Sequence, residues 1–233
     1  MQIKAVVFDL DGTITSFNLD YKVLRAEVRG HLLKMGVPAS VLNVNETVFE
    51  MFKKTELFMK NSGKTDSARE RIRKDVFGIA EKYELEAAAS TNLLPGVIDT
   101  LKALKLSGLK IALCTLNSQK TTDYILTRFK LTEYFDTTVP RDSVISVKPH
   151  PEHLEKALNA LSISATETMV IGDSVSDIKV AKELNTLAIG LTTGVSTQEQ
   201  LAREGANYVI TSITDLPILI ECINKEDQEQ TTQ

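Results

Sequence analysis

Ala5-Val6-Val7-Phe8-Asp9-Leu10-Asp11-Gly12-Thr13 is an apolar run that ends in two carboxylates and a glycine. A run with no polar face reads as a strand buried on both sides, the kind found in parallel sheets, so residues Ile3 to Phe8 are taken as the first strand. Strand alternation puts Asp9 and Asp11 on one face, about 7 Å of rise apart, with Leu10 turned away. Two such carboxylates repel unless a cation or a shared proton separates their roles. Gly12 permits a sharp turn and close approach of a ligand to the backbone. A surface turn rich in Asp and Gly is the competing reading.

From Pro95 onward, helix and strand signals alternate with short connections, the pattern of βαβ units and a mostly parallel sheet. Val97, Leu101 and Leu104 recur at helical spacing up to Gly108, and Leu109 to Leu113 is a compact apolar run. Tyr124, Ile125 and Phe129 return to helical spacing. Met169-Val170-Ile171 is another buried strand, Ile178 to Leu184 a helix, and Leu187 to Leu191 a further strand. Between the first strand and Pro95 the character changes. Val48, Phe49, Met51 and Phe52, then Leu57 and Phe58, recur three or four apart with no clean strand, which marks a helical insertion whose apolar stripe is its own core. The expected organisation is an α/β core from residues 1–15 and 95–224, a helical domain at 16–94, and a polar, solvated and mobile tail at 225–233.

Composition narrows the function. The chain has 233 residues, with 27 Lys+Arg against 31 Asp+Glu, so no overall basic field draws it to nucleic acid or to anionic membrane. Residues 14–94 hold 13 basic and 11 acidic side chains, which leaves 14 and 20 for the rest, so the insertion is the more basic module. Cys114 and Cys222 show no CxxC or Cys/His ligand spacing, and Cys114 reads as a small core hydrophobe in a reducing, cytoplasmic setting. The N-terminal apolar run is too short for a signal-peptide core or a membrane span.

Three further positions fall at or just beyond the ends of strands, where open parallel α/β sheets place their ligands. Thr115 follows Ile111-Ala112-Leu113-Cys114 and precedes Asn117-Ser118. A hydroxyl and an amide there can donate to an oxyanion, although a helix N-cap at Asn117 or Ser118 explains them equally simply. Lys148 stands in Val147-Lys148-Pro149-His150-Pro151; a lone lysine is ordinarily a solvated charge, and His150 and His153 read as a turn residue and a helix-face residue. Gly172-Asp173-Ser174-Val175-Ser176-Asp177 sends one carboxylate off a buried strand and a second into the first helical turn. That spacing suits an oxygen-ligand Mg²⁺ site, with capping and helix-dipole roles as the plainer alternatives.

Taken in order, Asp9-Leu10-Asp11-Gly12-Thr13, Thr115, Lys148 and Gly172-Asp173 with Asp177 resemble the haloacid dehalogenase superfamily of hydrolases. The helical insertion, Pro95-Gly96 at its return and Lys148-Pro149-His150-Pro151 are similar to its phosphoglycolate phosphatase type. The resemblance covers nearly the whole chain and implies a Rossmann-like core with a helical cap. It implies that Asp9 attacks phosphorus to give an aspartyl-phosphate, and that Asp11 protonates the leaving oxygen and then deprotonates water. Thr115 and Lys148 would bind the phosphoryl group, with Gly12, Thr13 and Asn117 around the substrate. Mg²⁺ would be held by Asp9, the Asp11 backbone carbonyl and Asp173, with Asp177 in or beside that shell.

The expected reaction is hydrolysis of a small phosphorylated metabolite such as phosphoglycolate, with no nucleic-acid or membrane partner. A sugar-phosphate mutase shares all four motifs, and a phospho-aspartate switch uses similar residue types. Lys22, Arg25 and Arg29, three or four apart on a helix, present a basic face on which Arg25 is a candidate for a substrate carboxylate, against the plainer reading of a solvated helix face. Two departures from the family pattern stand out. Ile14-Thr15-Ser16-Phe17 lacks the usual following aspartate, and Leu116 separates Thr115 from Asn117.

Overall fold

A computed structural model of the chain describes residues 2–231, with side chains through Lys225. It divides into two compact units, one of Met1–Phe17 with Thr91–Gln233 and one of Asn18–Ser90.

The first unit is an α/β sandwich. Its strands are β1 (Ala5–Phe8), β2 (Lys110–Thr115), β3 (Thr137–Pro140), β4 (Thr168–Gly172), β5 (Leu187–Leu191) and β6 (Tyr208–Ile210), all parallel and arranged β3-β2-β1-β4-β5-β6. Its helices are α4 (Val97–Leu106), α5 (Gln119–Arg128), α6 (Pro151–Leu161), α7 (Val175–Glu183), α8 (Gln198–Glu204) and α9 (Leu216–Thr231). Ala5 and Val7 pack with Leu154, Ala157, Ile178 and Ala181 of α6 and α7, while Val6 and Phe8, of opposite parity, are fully buried as well. Burial on both faces is why β1 reads as an unbroken apolar run. The order in which strands are added reverses between β1 and β4, which puts a crevice at their carboxyl ends.

β3 and β6 were not among the expected strands. Thr137-Thr138-Val139-Pro140 and Tyr208-Val209-Ile210 are short, and β3 holds two threonines and a proline, so neither makes a sustained apolar run. The first strand begins at Ala5 rather than Ile3. The expected mobile tail at 225–233 lies, apart from Lys225, outside the residues whose side chains are described.

The second unit holds α1 (Tyr21–Lys34), α2 (Val48–Asn61) and α3 (Asp66–Ser90). Leu24, Val28 and Leu32 of α1 interlock with Met51 and Phe52 of α2 and with Ile72, Val76 and Ala80 of α3. The repeated four-residue interval is a helix presenting one stripe to its neighbours. Asp20 caps α1, and Thr47 with Glu50 forms a capping box on α2, so these helix starts are written into the sequence. Among the described residues no helix is long and apolar enough to cross a membrane.

Candidate active site

The chain leaves β1 at Asp9, whose backbone N–H donates to the Ile171 carbonyl of β4 over 2.9 Å and so fixes where that side chain starts. β4 ends at Gly172 and delivers Asp173, after which Ser174 and Asp177 form a capping box that opens α7. Asp9, Asp173 and Asp177 each bring a carboxylate oxygen within 4.8 Å of the others.

Lys148 meets this cluster from the loop after β3. Its Nζ donates to Asp9 Oδ1 and to Asp177 Oδ1, both at 2.6 Å, and to the Cys114 carbonyl at 2.9 Å. The ordinary expectation of a solvated lysine is therefore wrong here. Only 5% of Lys148 is exposed, and all three ammonium protons have acceptors inside the protein. Burial alone would strip its proton; the carboxylates of Asp177 and Asp9 outweigh that and hold its pKa well above the usual lysine value.

One ammonium does not balance three carboxylates. Burial first, then repulsion from Asp9 and Asp177, pushes the Asp173 carboxyl up to about 8. Burial likewise lifts Asp9 to about 7, because Lys148 offsets only part of that cost. Asp177 is engaged by protein groups at both oxygens: Oδ1 takes Lys148, and Oδ2 takes the Ser174 N–H at 3.1 Å and hydroxyl at 2.6 Å. Asp9 Oδ2 and Asp173 Oδ1 accept no protein hydrogen bond among the described residues. An oxygen-only donor set with surplus negative charge and open oxygens on two residues fits a hard divalent cation. Asp9 and Asp173 each offer an open oxygen to it, and Asp177, in the same cluster, anchors Lys148 beside them.

Two glycines bring backbone against Asp173. Gly12 has φ +83°, and a Cβ there would lie 2.6 Å from the Asp173 carboxyl carbon; at Gly194 it would lie 1.8 Å from Asp173 Oδ2. The Val195 N–H donates to Asp173 Oδ2 at 2.7 Å. This loop after β5 was missed in the sequence. Its signal was available, since Thr192-Thr193-Gly194 follows an apolar strand in the same way as the other motifs.

Asp11 stands apart from the carboxylate cluster. The strand ends at Phe8, so alternation no longer governs residues 9–11, and the Asp11 carboxylate accepts from Asn117 Nδ2 at 2.7 Å and Thr15 Oγ1 at 3.2 Å. Asn117 is thus engaged with Asp11. Ser118, not Asn117, is the N-cap of α5. Thr115 ends β2 almost fully buried, its Oγ1 accepting the Asn117 N–H at 3.2 Å. Thr13 is buried, and its hydroxyl has no hydrogen-bond partner among the described residues.

Arg25 belongs to the helical unit, on α1, with its guanidinium 5.5 Å from the Tyr21 ring centroid and a buried Nε that has no partner among the described residues. Arg29 donates its Nε to the Leu42 carbonyl at 3.3 Å. His150 caps α6. His153, expected on a helix face, is fully buried.

Residues 3–185 match a model of the haloacid dehalogenase-like hydrolases. The chain is 30% identical over 218 residues to the pyrophosphatase PpaX of Halalkalibacterium halodurans, covering 93% of this chain and 96% of that protein. It is 29% identical to the phosphoglycolate phosphatase of Salmonella typhi, covering 97% and 96% respectively. A Thermotoga maritima structure with the provisional name β-phosphoglucomutase superposes with a TM-score of 0.59 at 25% identity, covering 96% of this chain and 99% of that one.

Proposed function

The chain belongs to the haloacid dehalogenase-like hydrolases, and from that membership we propose that it is a Mg²⁺-dependent phosphatase of small phosphate monoesters or anhydrides, working through an aspartyl-phosphate on Asp9. The observation that carries this reading is the separation of two aspartates two residues apart. Asp9 lies in the buried cluster against Lys148, while Asp11 is held outside it by Asn117 and Thr15.

Asp9 and Asp173 would hold the metal, which when bound neutralises carboxylate charge and polarises the phosphoryl oxygens. An Asp9 carboxylate oxygen forms the new bond to phosphorus as the P–O bond to the leaving group breaks. Asp11 gives its proton to the departing oxygen. In the second half Asp11 takes a proton from water, whose oxygen attacks phosphorus and releases Asp9 and phosphate. Lys148 and the Thr115 hydroxyl offset charge on the phosphoryl group. The relatives named phosphoglycolate phosphatase and pyrophosphatase make those two compounds the first substrates to try.

The Thermotoga maritima neighbour favours a second reading, a sugar-phosphate mutase. One experiment separates the two. The full chain is incubated with Mg²⁺ and, in turn, an aryl phosphate, phosphoglycolate, pyrophosphate and β-glucose 1-phosphate. Release of inorganic phosphate together with acid-trapped phosphorylation that Asp9→Asn abolishes supports the phosphatase. Conversion of β-glucose 1-phosphate to glucose 6-phosphate without phosphate release supports the mutase, and phosphate release by Asp9→Asn at the wild-type rate overturns the nucleophile.

A further inference from the structure

Lys148 Nζ reaches three acceptors from the end of a side chain with four rotatable bonds, so what fixes its backbone matters as much as what it touches. Its backbone N–H does not join the sheet. It donates instead to Nδ1 of His153, at 3.2 Å. On the other edge of the ring, Nε2 lies 2.9 Å from the carbonyl of Val139 in β3. Since a carbonyl only accepts, Nε2 must carry the hydrogen, and since Lys148 N–H only donates, Nδ1 must be bare. Geometry therefore admits a single neutral tautomer, donor to Val139 and acceptor from Lys148.

The ring is fully buried on the inner side of α6. Helical spacing places His153 above Ala157 and Leu161, on the stripe that packs against the sheet. The His153 carbonyl also lies 3.7 Å from Cys114 Sγ, and the Cys114 carbonyl is one of the three acceptors of Lys148. His153 thus ties the lysine's backbone to the carboxyl end of β3 and stands beside the end of β2. Burial, reinforced by the Lys148 charge, depresses its pKa to about 4, in keeping with a neutral ring at working pH.

We propose that His153 is a positioning residue for Lys148: its bare Nδ1 holds the lysine's backbone N–H so that the ammonium is delivered against Asp9 and Asp177. This rests on the reading of Lys148 as a phosphoryl-binding group. A histidine that merely filled space would need neither ring nitrogen in a particular state.

The test uses two substitutions in the full chain that each keep one half of the ring. His153→Asn retains an acceptor where Nδ1 stands and loses the donor to Val139. His153→Gln retains a donor where Nε2 stands and loses the acceptor for Lys148. With an aryl phosphate and Mg²⁺, His153→Gln should lower kcat about 10-fold with KM within about twofold, and His153→Asn should keep kcat within about twofold of wild type even if it melts lower. Hydrogen exchange at the Lys148 amide should accelerate in His153→Gln and stay protected in His153→Asn. Equal kcat losses in both variants, or wild-type exchange in His153→Gln, would overturn the proposal. The ¹⁵N shifts of the wild-type ring decide independently of whether either variant folds: an Nε2–H tautomer is expected, and Nδ1–H refutes the arrangement. If wild type hydrolyses no phosphate ester but the exchange pattern holds, the phosphatase reading falls and the positioning of Lys148 stands.

Discussion

Asn117 Nδ2 donates to Asp11 Oδ2 over 2.7 Å, so the loop after β2 helps fix the orientation of the Asp11 carboxyl group. Asn117→Ala frees that oxygen and lets the acid adopt unproductive protonation and rotamer states. A fall in kcat of roughly 10-fold, the value of one hydrogen bond to a charged group, is expected in steady-state assays with an aryl phosphate. Unchanged kcat would show that Asn117 does not orient Asp11.

The surplus of buried carboxylates predicts a pH-dependent stability. Asp173 titrates near 3.8 when exposed and near 8 in the fold, so between those values the folded chain holds a proton that the unfolded chain has released. The stability this supplies is complete below pH 4 and is lost as pH rises through 8. Melting of the metal-free protein should fall between pH 6.5 and 8 and level off above that. Asp173→Asn should flatten that drop, which differential scanning calorimetry can read directly.

Mg²⁺ should raise the melting temperature of wild type more at pH 8.5 than at pH 7, because ionised Asp9 and Asp173 are the ligands it needs. Asp173→Ala should abolish most of that gain. A metal-induced shift that survives the substitution would move the site elsewhere.

Lys148→Ala removes the cation between Asp9 and Asp177. It should cut kcat by roughly 100- to 1,000-fold, the scale of one preorganised charge at a phosphoryl centre. Stability should suffer more at pH 8.5 than at pH 7, where Asp9 and Asp173 can take up protons instead. Chemical denaturation at the two pH values measures the difference.

His153 works in the opposite pH direction. Its pKa falls from 6.5 to about 4 on folding, so stability is intact above 6.5 and is lost as pH falls toward 4. Replacement by Asn should reduce the slope of melting temperature between pH 6.5 and 4.5 relative to wild type. An unchanged slope would mean that the ring is already charged in the fold.

Much of this architecture is legible in the chain because burial writes itself as unbroken apolar runs. β1, β2, β4 and β5 lie between two helical layers, so Ala5-Val6-Val7-Phe8 and Leu187 to Leu191 show no polar alternation. β3 and β6 escape notice because each is short and β3 carries Thr137, Thr138 and Pro140. Asp9 and Asp173 are legible as acids placed directly after apolar strands, and Asp177 as an acid in the first turn of the helix that follows. Lys148 is legible only through the family resemblance, since by itself a single lysine in a loop reveals nothing about the two carboxylates 139 and 29 residues away that receive it. His153 is legible only as a member of a helical stripe. Its partner on β3 is a backbone carbonyl, which leaves no mark on sequence.

The two connections through which the chain departs from the α/β unit and returns to it are stitched together. Ser16 N–H donates to the Asn92 carbonyl at 2.8 Å, Leu94 N–H to the Ile14 carbonyl at 3.0 Å, and Thr91 Oγ1 to the Ser16 carbonyl at 2.7 Å. With its ends clasped in this way, the segment Asn18–Ser90 enters and leaves at one point, like a bead tied into a thread by a single knot. Lengthening or exchanging such a segment costs the sheet only a slowly growing loop-closure entropy. The carboxyl ends of β1 and β4, with their acids in place, can therefore be inherited unchanged while the inserted helices diverge.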